Sequence, residues 1–239
     1  DKKIVQVPDA KGKSKDLIVD GQGKIQQPDN KGGFTPDPKQ ANNKVVEIAQ
    51  PDGKKTPVIV GTDNHVQQPD ANGVIKSTDK KIVQVPDAKG KSKDLVVDGQ
   101  GKIQQQDAKG GFTPDPKQTN NKVVEIAQPD GKKTPVIVSK DNHVQQPDAN
   151  GVIMPTDKKI VQVPDAKGTS KDLVVDGQGK IQQPDDKGGF TPDPKQANNK
   201  VVEIAQPDGK KTPVIVGTDN HVQQPDANGV IKSTDKKIV

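Results

Sequence analysis

The sequence has no cysteine, no tryptophan, no tyrosine and no arginine, and its aromatic residues are Phe34, Phe112 and Phe190. Without cysteine there is no disulfide framework, no thiolate metal site and no thiol nucleophile. Without arginine forks or aromatic stacking platforms, nucleic-acid recognition would rest on lysine alone. The 37 basic residues are all lysine, and they alternate with 32 acidic ones instead of clustering. Residues 1–78 carry 12 Lys against 10 acids, an excess of +2 within a chain of net charge +5. This pattern predicts a solvated mixed-charge surface and no nucleic-acid partner. No apolar run approaches the roughly 20 residues of a membrane span, so no direct membrane insertion is expected. Asp1-Lys2-Lys3 does not open a signal peptide, which points to an excerpt of a longer protein. Hydrophobic residues are scarce as well, at 28% against the usual ~45–50%. In residues 1–78 the large apolar residues number 17, or 22%, just above the roughly 20% below which chains stay disordered. One large core is excluded, and small thin modules are allowed.

What the chain has is repetition. Residues 1–78, 79–156 and 157–234 align without gaps as three modules, and residues 235–239 restart a fourth. Modules one and three differ only at Lys13/Thr169, Ile18/Val174 and Asn30/Asp186. Module two departs further, with Gln106 for Pro28, Ser139-Lys140 for Gly61-Thr62 and Met154-Pro155 for Lys76-Ser77. A fainter repeat at an offset of 41 residues relates Leu17-Ile18-Val19 to Val58-Ile59-Val60, and Ile25-Gln26-Gln27-Pro28-Asp29 to Val66-Gln67-Gln68-Pro69-Asp70. A property that scales with module number, length or valency, is the natural product of such duplication.

Nearly all the apolar residues are β-branched, which favours strands, while 23 Gly and 21 Pro interrupt any long helix. Each half-module reads as strand, Pro-Asp turn, strand, polar turn, strand and Pro-Asp turn, so each module is expected to be a duplicated three-stranded meander in an elongated all-β tandem array. In Pro28-Asp29-Asn30-Lys31-Gly32 proline presets φ, aspartate bonds the following backbone and glycine accepts positive φ. Asp20-Gly21-Gln22-Gly23, Thr62-Asp63-Asn64 and Pro51-Asp52-Gly53 read as hairpin connectors. Leu17-Ile18-Val19 and Val58-Ile59-Val60 are continuous apolar triplets, expected to be buried on both faces. The insertion from Gly33 to Asn43 contains Pro36 and Pro38 and is expected to be an extended, stiff connection. Six half-modules also match the blade count of a β-propeller, whose blades need a fourth strand and heavier packing.

No candidate chemistry finds partners in the sequence. His65, His143 and His221 each stand alone in a turn, so neither a zinc site nor general-base catalysis is expected. Serine is sparse and confined to loops, Ser139 among them, which leaves no Ser-His-Asp arrangement. The Asp-rich turns faintly suggest calcium loops, but each offers one isolated Asp beside Lys. Glu47, Glu125 and Glu203 lie beside Lys and Asn and raise the question of a Lys-to-Asn isopeptide bond. That chemistry needs an apolar pocket, which the composition hardly provides. No catalytic, metal or cofactor-binding residue is assigned, and no cofactor or enzyme activity is expected.

Near-identical modules of about eighty residues, rich in Lys, Asp, Pro and Gly, resemble the repeat regions of Gram-positive cell-wall-anchored adhesins and biofilm proteins. The resemblance is architectural and covers the whole chain. It implies an extracellular, wall-anchored stalk projecting a distal binding domain, monomeric and contacting its own neighbouring repeats. The alternative it leaves open is a multivalent module that binds a host matrix protein or glycan, or that self-associates in biofilm.

Overall fold

A computed structural model describes residues 1–9, 11–49, 55–87, 89–107, 110–127, 132–148, 151–165, 167–185, 189–206, 209–226 and 230–238. The expected Pro51-Asp52-Gly53 turn and the final Val239 lie outside the described residues. The protein is all-β, and its described residues form four meandering sheets within each of which consecutive strands pair antiparallel. The first sheet contains β1 (Lys2–Pro8), β2 (Ser14–Asp20), β3 (Ile25–Pro28) and β4 (Phe34–Pro36). The second has seven strands: β5 (Asn43–Ala49), β6 (Lys55–Gly61), β7 (His65–Pro69), β8 (Ile75–Pro86), β9 (Ser92–Val97), β10 (Ile103–Gln106) and β11 (Phe112–Pro114). The third repeats it 78 residues on, as β12 (Asn121–Ala127), β13 (Lys133–Ser139), β14 (His143–Pro147), β15 (Ile153–Pro164), β16 (Ser170–Val175), β17 (Ile181–Pro184) and β18 (Phe190–Pro192). The fourth contains β19 (Asn199–Ala205), β20 (Lys211–Gly217), β21 (His221–Pro225) and β22 (Ile231–Lys237).

Turn chemistry sets the register. In Asp20-Gly21-Gln22-Gly23-Lys24, Asp20 Oδ1 accepts the N–H groups of Gln22 and Lys24, both at 2.9 Å. Asp20 N–H donates to Lys24 O at 3.1 Å, Gly23 N–H donates to Asp20 O at 3.0 Å, and Gly23 takes φ 80°. This is a three-residue hairpin loop closed by a left-handed glycine. The same pattern closes the turns at Asp9, Asp29, Asp70, Asp87, Asp98 and Asp165.

Two features differ from the sequence expectation. Each meander gains a fourth strand, because Phe34-Thr35-Pro36 pairs with Gln26-Gln27-Pro28 and, in the second half-module, Ile75 pairs with Pro69. The insertion is extended only as far as Asp37, which caps a 3-10 turn over Pro38–Gln40 by accepting Lys39 N–H at 2.9 Å. Pro38 sits in the first turn, where its missing N–H costs nothing.

The chain divides into two compact units, Asp1–Gln84 with Asp94–Lys122, and Val85–Lys93 with Val123–Val239. In the first unit, Val7, Leu17, Val19 and Ile25 of the first sheet pack on Val45 and Ile59 of the second. The sheets approach closely where Val45 N–H donates to Gly23 O at 2.8 Å, and a Cβ on Gly23 would stand 2.2 Å from Val45 O. The other face of β6 presents Val58 and Val60, which join Ile48, Val66 and Val96. β6 is therefore buried on both faces, each fully buried side chain contributing about 1.5–3 kcal/mol. The second unit has the corresponding clusters, Val161, Val163, Val175 and Ile181 on Val201 and Ile215, and Ile126, Val136, Val138 and Val144 on Ile160 and Val174.

Candidate functional site: the junction between modules

Consecutive modules are joined through a strand. β8 runs across the boundary at Thr78 and Asp79, and β15 across the boundary at Thr156 and Asp157. Half-modules on either side of a boundary thus share a strand. At the boundary the pairing of β7 with β8 slips, from His65↔Lys81 to Gln67↔Ser77. The slip is a bulge, the usual device for bending a strand. Side-chain oxygen fills the resulting gap in the ladder: Thr78 Oγ1 donates to Val66 O at 2.9 Å and accepts Lys80 N–H at 3.2 Å. Thr156 repeats both bonds, to Val144 O at 2.9 Å and from Lys158 N–H at 3.1 Å.

Beyond the bend the strand returns to the preceding module. Ile82 N–H donates to Asn64 O at 2.8 Å, and Ile160 N–H to Asn142 O at the same distance. Asn64 and Asn142 hold φ 63° and 64°, a left-handed conformation that asparagine tolerates better than most residues. The two modules then share a core, with Ile48, Val58, Val60 and Val66 of the first packed against Val96, Ile82 and Phe112 of the second. Phe112 also closes a cleft with Val7, Pro8, Pro57 and Gln68, with room for about one water. The equivalent cleft in the second unit is lined by Val85, Pro86, Pro135, Gln146 and Phe190. Gly110, at φ 82°, presses on this junction: a Cβ there would stand 2.0 Å from Pro8 Cβ.

The histidines and their neighbouring aspartates gather in the turn beside this junction, but as local hydrogen-bonded pairs. His143 Nδ1 lies 2.8 Å from Asp141 Oδ2, and His221 Nδ1 lies 2.7 Å from Asp219 Oδ2. In module one His65 Nδ1 also lies 2.9 Å from Asp63 Oδ2, but outside hydrogen-bond geometry. The hydrogen bond from the His65 backbone N–H, with the imidazole beside it, holds the Asp63 carboxyl below its ordinary range.

Module two adds a contact that the sparse serines did not suggest, since Ser139 Oγ donates to Asp141 Oδ1. Ser139, Asp141 and His143 therefore do meet, with Asp141 between the other two. A nucleophilic serine needs histidine at its hydroxyl as base, and here a carboxylate occupies that place. The signal for this contact was steric: a Cβ on Gly61 would stand 2.8 Å from Asp63 Oδ1, and Ser139 turns that approach into a hydrogen bond.

The Asp turns spend Oδ1 on backbone N–H groups, and among the described residues no group of three or more His, Asp or Glu is placed to hold a metal ion. Glu47 pairs with Lys3 at 3.0 Å and Glu203 with Lys159 at 3.3 Å, in exposed bridges between β1 and β5 and between β15 and β19. The Lys3 hydrogen bond and charge hold the Glu47 carboxyl below its ordinary range. Amide formation needs the reverse, an acid kept protonated by burial. Among the described residues no helix is long and apolar enough to cross a membrane. No family model matches the chain, and no curated protein matches it.

Proposed function

We propose that the chain is a non-enzymatic stalk, a repeat spacer in a Gram-positive cell-wall-anchored surface protein that holds a distal binding domain away from the wall. The observation that carries the reading is the way repetition is built. Each module joins the next through a shared strand and a shared apolar cluster, so adding a module adds the same joint again. The interspersed Lys and Asp residues suit a long extracellular surface that must stay soluble. In this reading the chain is extended and its reach is proportional to module number. Small-angle scattering on one, two and three modules tests it: the maximum dimension should rise by equal increments, and a compact globule refutes it.

A second reading, multivalent adhesion, draws on Val74, Val152 and Val230, the same loop-closing valine in each module, all more than half exposed. Linked weak sites gain avidity with number. Weak, saturable binding of a host matrix protein or glycan by a single module would favour this reading. The absence of Trp, Tyr and Arg, the usual binding anchors, counts against it.

A further inference from the structure

We infer that the chain cuts itself in acid at the bonds Asp37-Pro38, Asp115-Pro116 and Asp193-Pro194, which are placed to divide it sheet by sheet. Asp-Pro occurs at these three positions of the sequence and nowhere else in it. Each lies in the connection from one sheet to the next, β4 to β5, β11 to β12 and β18 to β19, outside every strand. Cutting all three releases residues 38–115 and 116–193. Those ranges hold β5 to β11 and β12 to β18, each a complete seven-stranded sheet. The placement belongs to the repeat, since both seven-stranded sheets have such a bond on either side.

The chemistry is local. Asp115 caps the 3-10 turn over Pro116–Gln118 with φ −68° and ψ 115°. Its N–H donates to Ile103 O, its Oδ1 accepts Lys117 N–H and its carbonyl oxygen accepts Gln118 N–H, all at 2.9 Å. Asp37 and Asp193 make the same three bonds at the same distance. The residue is thus pinned at three points, while Oδ2 makes no hydrogen bond among the described residues. In acid, Oδ2 attacks the aspartyl carbonyl carbon and closes a five-membered cyclic anhydride. The C–N bond to proline breaks, and the carboxyl proton leaves on the proline nitrogen. Water then opens the anhydride to two carboxyl groups, so one peptide bond and one water give one carboxyl and one amine. Attack within one residue has the advantage of proximity. Gln118 N–H points at the oxygen on which negative charge develops, as an oxyanion donor does. Proline suits the leaving position because it departs as a secondary amine, more basic than the primary amines of other residues. Each bond reacts once, without turnover. Asp87 is an internal control: it is buried, and its Oδ1 and carbonyl oxygen also accept backbone N–H groups, but alanine follows it. Self-cleavage is independent of the spacer reading, and either can fail alone.

Incubation of the full chain from about pH 7 down to about pH 2, across the titration of ordinary carboxyls, tests it by mass spectrometry under denaturing conditions. Denaturation is needed because Val45 and Ile59 would hold the piece beginning at Pro38 on the first sheet. Cutting should speed up on acidification and yield residues 1–37, 38–115, 116–193 and 194–239, with the bond after Asp87 intact. Asp115→Asn keeps an acceptor in the cap and should slow cutting at that bond roughly a hundredfold or more, leaving residues 38–193 in one piece. An unchanged circular dichroism spectrum shows that this variant keeps its fold. At a pH where the parent chain is folded by the same measure, unfolding it in urea should slow all three cuts roughly tenfold or more, because the Gln118 donor and its equivalents are lost. An uncut chain, cuts scattered over other aspartates, equal rates with and without urea, or loss of the fold before any cut appears overturns the inference.

Discussion

Gly32 and Gly110 occupy the same position in successive modules, in Lys-Gly-Gly-Phe, and both are left-handed, at φ 77° and 82°. Their surroundings differ. A Cβ on Gly32 would meet nothing within 4 Å, whereas one on Gly110 would stand 2.0 Å from Pro8 Cβ and 2.3 Å from Pro8 Cγ. Alanine at either site therefore bears the cost of left-handed backbone, about 1–2 kcal/mol. Alanine at Gly110 must also push aside the proline ring of the preceding module. Overpacking of this kind adds roughly 1–3 kcal/mol. Gly32→Ala is expected to cost about 1–2 kcal/mol and Gly110→Ala about 2–5 kcal/mol. Urea unfolding of the two variants beside the parent chain measures the difference. The pair is a close control, because φ and the closing hydrogen bonds are matched and the turn sequences differ only at Pro28/Gln106 and Asn30/Ala108. Equal destabilisation would refute the contact between modules, and greater destabilisation by Gly32→Ala would reverse the reasoning.

Thr78→Val keeps the shape of the side chain but removes the hydroxyl that serves Val66 O and Lys80 N–H, and should cost about 1–3 kcal/mol in urea unfolding; an unchanged midpoint would show that the bulge does not need the hydroxyl. Asp87 Oδ1 accepts Lys89 and Lys91 N–H, both at 2.8 Å, so Asp87→Ala should lower Tm more than Asp87→Asn, which keeps an acceptor; equal losses would contradict this. Lysine hydrogen bonds hold Asp79 and Asp157 below the ordinary carboxylate range, and backbone N–H groups do the same for Asp87. A depressed folded pKa stabilises the fold above the unfolded value of about 3.9 and loses that stabilisation as pH falls through the folded one. Tm should therefore fall on acidification below about pH 4, and a Tm that rises there would contradict the assignment.

The hairpins were legible because Pro-Asp-x-x-Gly places three local constraints within five residues. The burial of Val58-Ile59-Val60 was legible because a continuous β-branched run suits a strand covered on both faces. Leu17-Ile18-Val19 has the same pattern, yet Ile18 is only half-buried, whereas Val96 and Val174 are buried. The cover for this position comes from the preceding module, which no local pattern records. The strand Phe34-Thr35-Pro36 was hidden for a different reason: three residues cannot show a period, and two flanking prolines read as a linker. The bend at Thr78 was hidden by the alignment itself, since a gapless repeat has no natural starting point and the boundary drawn there fell inside a strand. Ser139 beside Asp141 and His143 could be found only through the space that a Cβ occupies at position 61 or 139.

That successive modules are coupled, each covering part of the next, is tested most directly by the urea midpoints of chains with one, two and three modules. A single module has no internal junction, two have one and three have two. The midpoint should rise with each added module, as nearest-neighbour interfaces require. Midpoints that coincide for all three chains would make the modules independent domains and contradict the shared core at Ile48, Val58 and Val66.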